Sequence, residues 1–173
     1  ERLTRVENRL RIIESEDEMP DQEVVLKDLE PVHVVSLREV LAKPQDVAAM
    51  LADGFAALLP AGIMPTGACF AIYHDPEFDP NKLDVEIAFP VAETVTEAPA
   101  TPGGRTFGER VVCGGKAAVT IHHGPYDMIG QVYAQIGKWI SDHDLKMAGP
   151  PQEAYLTAPD DPAGPVTEIR WPV

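Results

Sequence analysis

An internal sequence repeat limits the folds that are open to this chain. The segment Asp84–Val91 resembles the last eight residues, Val166–Val173, at an offset of 82 positions. The same offset, applied without a gap, places Tyr73 on Tyr155 and aligns two stretches that share a helical apolar stripe. We therefore infer a duplication, and we expect two structurally equivalent halves.

Each half reads as a β-α-β-β unit, and the two units together predict an α+β fold. Strand-forming runs lie within 23–40, and a Pro/Gly-rich loop, 92–106, connects the halves. A seam between equivalent units is a usual place for a ligand cleft. The predicted helices are 44–59 and 127–143, and the other predicted strands are 69–73, 83–91, 116–122, 154–156 and 166–171.

The first eighteen residues follow a different pattern. Leu3, Val6, Leu10 and Ile13 have the a/d spacing of a heptad repeat. We interpret 1–18 as the end of a dimerising coiled-coil helix and 22–173 as a ligand-binding domain with halves of about 22–91 and 109–173. The alternative is an amphipathic helix that packs on its own domain. Because the chain starts without an initiator Met, we expect it to be cut from a longer protein or processed.

Composition restricts the partners. The net charge of −14 repels phosphate, so this part of the protein is not expected to bind nucleic acid itself. The same charge favours cations, although a well-solvated acidic surface also explains it. No apolar run approaches the ~20 residues needed to span a bilayer. The two cysteines are far apart and suit a reducing compartment, so we expect a cytoplasmic protein without membrane contact.

Glu153 is the strongest candidate for a site residue. It enters a strand just before Ala154, and its repeat partner is Ala71. Alternation along a strand places Glu153 and Tyr155 on one face. A carboxylate beside an aromatic ring would attract a lipophilic cation through charge and cation–π interactions. The alternative is an ordinary solvated strand residue.

Further candidates are aromatic. Tyr126 opens the second helix and can point into a cleft or pack against the sheet. Tyr73, the repeat partner of Tyr155, can line the opposite wall. Phe70 and Trp139 are weaker candidates, since such residues more often belong to a core. The sequence contains no catalytic or cofactor motif. A metal site is not expected either, because His122 and His123 are adjacent and face opposite sides of a strand.

Several of these segments, in this order and spacing, resemble the gyrase-inhibitor-like (GyrI-like) small-molecule-binding family. The resemblance spans nearly everything after Pro20, and the heptads resemble the dimerisation helix of MerR-family regulators. The segments are 24–38, His123–Tyr126, the helix with Trp139, Glu153–Leu156, and Thr167–Ile169 with Pro172.

The resemblance implies drug-like ligands, often aromatic or cationic, with Glu153 as the acidic pocket residue and Tyr126 and Tyr155 as wall residues. It also implies a homodimer that contacts DNA only through a missing N-terminal domain. Three functions remain open: a ligand-sensing regulator domain, which we favour; a hydrolase of strained-ring DNA-damaging natural products, with Glu153 and Tyr155 as acid–base groups; and an acidic protein-binding inhibitor.

Overall fold

The computed structural model describes residues 22–158 and 160–173. The predicted coiled-coil segment, 1–18, lies outside these residues, so it stays a prediction. No helix in the described ranges is long and apolar enough to cross a membrane.

Within the described residues, eight strands and two α-helices form the domain. A single turn of 3-10 helix, Tyr126–Met128, precedes the second α-helix. The elements are β1 (Val25–Leu29), β2 (Val32–Leu41), α1 (Asp46–Leu58), β3 (Phe70–Tyr73), β4 (Leu83–Pro90), β5 (Gly108–Val112), β6 (Gly115–His123), α2 (Ile129–Asp142), β7 (Gln152–Tyr155) and β8 (Val166–Pro172).

All eight strands belong to one antiparallel sheet with the order β1-β6-β8-β7-β3-β4-β2-β5. This order is symmetric about the β7–β3 pair, with each strand facing its repeat partner across the centre. The first strand of each half is exchanged, because β1 pairs with β6 of the second half and β5 pairs with β2 of the first. The α+β class and the two β-α-β-β units are therefore confirmed. Each unit also carries a leading strand, of which β5 was not predicted.

Both helices lie on one face of the sheet. Helix α1 places Val47, Met50 and Leu58 in a core with β2, β3 and β4. Helix α2 has its buried residues three and four positions apart, as an amphipathic helix requires, and packs on β6 and β8. The region between the two helices therefore lies over the central strands β3 and β7.

The other face of the sheet holds an ion-pair network around the buried Glu86. The guanidinium of Arg110 donates two hydrogen bonds of 2.8 Å to this carboxylate. His74 Nε2 lies 2.8 Å from Oε2 of Glu86. Burial alone would raise the pKa of Glu86, but hydrogen bonds from Arg110, Ser36 and His74 outweigh it and lower the pKa to about 2.

The Glu86 network predicts a loss of stability in acid. The pKa of this carboxyl group is lower in the folded state than its unfolded value of 4.5. Its ionised form therefore stabilises the fold fully above pH 4.5, and this contribution is lost as the pH falls toward 2. We expect Glu86→Gln to reduce the free energy of unfolding by about 2–3 kcal/mol at pH 7. Urea unfolding should show this difference shrinking between pH 4.5 and pH 2.

The exposed turn variant Glu77→Gln serves as the control and should match the wild type throughout. A Glu86→Gln deficit that stays constant over the acid range would contradict the assignment.

Candidate functional site

The candidate site lies at the centre of the repeat symmetry. Strands β3 and β7 pair so that Ala71 stands directly opposite Glu153, its own repeat partner. Directly opposed residues of an antiparallel pair share one face of the sheet. That face carries the helices, since Ala71 belongs to the α1 core and Ile169, opposite Glu153 on β8, belongs to the α2 core. Glu153 thus lies at the seam of the two halves, on the helical side.

The Glu153 side chain is buried and held by tyrosines from two elements. Only 6% of the residue is exposed. Tyr133, on α2, donates a hydrogen bond of 2.8 Å to Oε1. Tyr73, on β3, donates one of 3.3 Å to Oε2. Both carboxylate oxygens therefore have a donor, which offsets part of the cost of burying the charge.

Burial still dominates the electrostatics of the carboxyl group. Removal from water raises the pKa of Glu153. Hydrogen bonds from Tyr133, Tyr73 and Tyr155, and an electrostatic interaction with His122, oppose that rise without cancelling it. Ion pairing does not compensate as it does at Glu86, where a guanidinium contacts the carboxylate. Glu153 is therefore a buried acid whose hydrogen-bond donors are tyrosine hydroxyls, an arrangement typical of a binding or catalytic site.

The surrounding tyrosines stay protonated. Burial and the neighbouring Glu153 carboxylate raise the pKa of Tyr73 and of Tyr133 well above the ordinary value. Burial also raises the pKa of Tyr155, with further contributions from Tyr73 and Glu153. The cluster is thus one carboxylate among phenol groups, which suits a cation that can contact both negative charge and aromatic rings.

Tyr126 connects this cluster to the surface. Its ring is edge-on to that of Tyr155, with 6.1 Å between centroids, and the residue is 40% exposed. It follows Gly124, whose φ of +136° favours glycine, and Pro125, whose carbonyl oxygen lies 2.9 Å from Nε2 of His122. The sharp turn after β6 thereby places Tyr126 beside the cluster.

The structure does not bring every predicted residue to this place. Phe70 lies on the opposite face, because strand alternation separates it from Ala71 and Tyr73, and there it contacts Arg170. Trp139 packs in the α2 core and stacks on His143 at 3.9 Å between centroids. Neither residue joins the Glu153 cluster.

Tyr133 was not predicted as a site residue. The sequence places it in the apolar stripe of α2, where it looks like any core aromatic. A signal was nevertheless present: a buried tyrosine hydroxyl needs a partner, and the repeat partner of Tyr133 is Leu51. The tyrosine hydroxyl, on the helix face that packs toward Glu153, could have identified Tyr133 as a site residue.

A hollow of about 650 Å³ lies elsewhere, along 61–64 and 91–97. None of the Glu153 cluster lines it. Its two acidic residues, Glu93 and Glu97, are exposed to solvent. It therefore lacks the buried ionisable group that distinguishes the seam.

Comparison with known proteins agrees with this fold. The model of the GyrI-like small molecule binding domain matches residues 22–173. The chain belongs to the GyrI-like family. No curated protein matches the chain significantly in sequence.

Solved structures extend the comparison. The crystal structure of the EcmrR C-terminal domain is 25% identical, with a TM-score of 0.76 over 87% of this chain and 96% of that one. EcmrR in its DNA complex in EcmrR-RPo is also 25% identical, with a TM-score of 0.78. That match covers 98% of this chain but only 63% of EcmrR.

Two more distant structures share the fold. SAV2435 bound to tetraphenylphosphonium is 17% identical, with a TM-score of 0.59 over 87% of this chain and 93% of that one. A hydrolase from Listeria innocua encoded by lin2189 is 13% identical, with a TM-score of 0.62 over 94% of this chain and 97% of that one.

The buried carboxylate should destabilise the fold at neutral pH. The pKa of Glu153 is higher in the folded state than its unfolded value of 4.5, so folding favours the protonated carboxyl group. The free energy of unfolding therefore falls as the pH rises above 4.5. We expect Glu153→Gln, which keeps an acceptor for Tyr133, to raise the free energy of unfolding at pH 8 by about 0.5–2 kcal/mol. At pH 4 the gain should be absent.

Glu168→Gln supplies a control of opposite sign. Burial opposes ionisation there too, but Arg170 and Lys27 lower the pKa of Glu168. That variant should therefore lose stability relative to the wild type as the pH rises. A Glu153→Gln protein that is less stable at pH 8 would show that the carboxylate stabilises the fold.

Proposed function

We propose that this chain is the effector-binding domain of a bacterial MerR-type transcription regulator, and that it binds aromatic organic cations beside Glu153. The buried carboxylate at the seam, hydrogen-bonded by Tyr133 and Tyr73, carries this proposal. A cation would pair with this carboxylate, whose hydrogen-bond donors among the described residues are tyrosine hydroxyls. The neighbouring tyrosine rings would add cation–π contacts in a low dielectric.

Ligand chemistry in a related fold supports the cation. Tetraphenylphosphonium, the ligand of SAV2435, is a lipophilic cation with four aromatic rings. The same combination of charge and aromatic surface fits a carboxylate flanked by tyrosines. Tyr126, half-exposed beside Tyr155, provides aromatic contact area at the outer side of the site.

The regulatory part of the proposal rests on EcmrR. This chain matches its C-terminal domain at 25% identity, and EcmrR is found in a complex with DNA. The acidic composition of the present chain would leave DNA contact to another domain. A ligand would act by binding one state of a homodimer more tightly than the other, which shifts their populations.

Cation binding should depend on the charge of Glu153. We expect the wild-type chain to bind tetraphenylphosphonium saturably in a calorimetric titration. Glu153→Gln should weaken that binding by about 10- to 100-fold, since it removes a charge-assisted contact worth about 1.5–3 kcal/mol. The wild-type affinity should also rise with pH as Glu153 loses its proton, whereas the variant should show no such rise.

Triphenylphosphine oxide, a neutral aromatic probe, provides the comparison, and Glu93→Gln provides an acidic-surface control. Equal losses for the cation and the neutral probe would exclude the charge role. Equal losses in the two variants would show that overall acidity, and not Glu153, attracts the cation.

A hydrolase is the second candidate, because the site pairs a carboxyl group with tyrosine donors and a similarly folded protein is named a hydrolase. Water would attack a carbon of a strained ring while Glu153 accepts its proton. The C–O bond would form as the strained ring bond breaks, and a tyrosine would donate a proton to the released group. Incubation with a cyclopropane-containing alkylating natural product should then yield a ring-opened hydrolysis product. Product formation that persists in Glu153→Gln, or never occurs, would exclude this candidate.

A further inference from the structure

Thr167 carries a buried hydroxyl group that makes no close hydrogen bond to the described residues. The residue is 0% exposed, and its Oγ1 has no hydrogen-bond partner within 3.5 Å among them. The nearest donor is Tyr126: a longer hydrogen-bonding interaction with Thr167 lowers the pKa of that phenol, although burial raises it more. A buried hydroxyl that stays unsatisfied is costly, so it calls for an explanation.

The position of Thr167 places this hydroxyl beside the Glu153 cluster. On β8, Thr167 stands opposite Tyr155 of β7 on one side and opposite His122 of β6 on the other. It therefore shares the face of the sheet that carries Glu153. Glu153 is opposite Ile169, two residues further along β8, and such diagonal neighbours are about 7–8 Å apart.

The repeat shows that the fold does not need this hydroxyl. The partner of Thr167 is Val85, which is also 0% exposed and has nearly the same shape without the hydroxyl. The two halves thus differ here in the same way as at Ala71 and Glu153: the first half is apolar and the second is polar. The two polar residues, Glu153 on β7 and Thr167 on β8, lie on the same face of this pair of strands.

We propose that Thr167 is a specificity-determining residue of the cation site and hydrogen-bonds a polar group of the ligand. The inference rests on the proposed function and narrows it: the preferred ligand is an aromatic cation that also carries an N–H or O–H group. That group lies roughly 7 Å, about the length of three linearly fused aromatic rings, from the contact with Glu153. A cation without hydrogen-bonding groups would leave Thr167 unsatisfied.

Two probes separate these contributions in calorimetric titrations of the whole chain. Tetraphenylphosphonium has charge and aromatic rings but no N–H, whereas 3,6-diaminoacridinium has all three. We expect Thr167→Val to weaken binding of 3,6-diaminoacridinium by about three- to tenfold, as the loss of one hydrogen bond implies. Binding of tetraphenylphosphonium should stay within about twofold of the wild type.

Matched variants control for packing. Thr167→Ser keeps the hydroxyl and should bind both probes as the wild type does, and Val85→Thr places a hydroxyl at the equivalent position of the other half and should change neither. Thr167→Ala provides a second hydroxyl-free side chain if Thr167→Val does not fold.

Equal effects of the hydroxyl-free variants on both probes, or no effect on either, would overturn the role of Thr167. Failure of the wild type to bind either cation, or binding of both by Glu153→Gln at wild-type strength, would instead overturn the proposed function.

Discussion

The burial of one carboxylate at the seam of two repeated halves is the constraint on which the proposed function of this structure depends. Glu153 gives up its hydration, and phenol hydroxyls from Tyr133 and Tyr73 replace only part of it. The sheet can hold such a group because the halves are interlocked: β1 and β5 each pair with the opposite half. The site therefore lies on central strands whose positions are fixed from both sides.

Asymmetry within the duplication is the clearest mark of function. Residues that only fill the core are apolar in both halves, as at Ile87 and Ile169. At the seam the second half has a carboxylate where the first has Ala71, and the α2 tyrosine stands where the first half has Leu51. Since one half folds without these polar groups, their presence in the other is better explained by a ligand than by stability.

Most of the fold could be predicted from the sequence. The repeat offset of 82 positions aligns the helix and the inner strands of one half with those of the other. Glu153 was predictable from its position at the start of a strand and from its alanine repeat partner, Ala71. The exchange of β1 and β5 was not, since pairing between distant strands leaves no local pattern and β5 is short and mostly exposed. Phe70 shows a second limit: one position along a strand reverses the face.

A crystal structure of the chain with bound tetraphenylphosphonium would test the central claim most directly. The account predicts the phosphonium centre on the helical side of β3 and β7, nearest to the Glu153 carboxylate, with phenyl rings against Tyr155 and Tyr126. A ligand seated on the opposite face near Phe70, or in the hollow at 61–64 and 91–97, would contradict it.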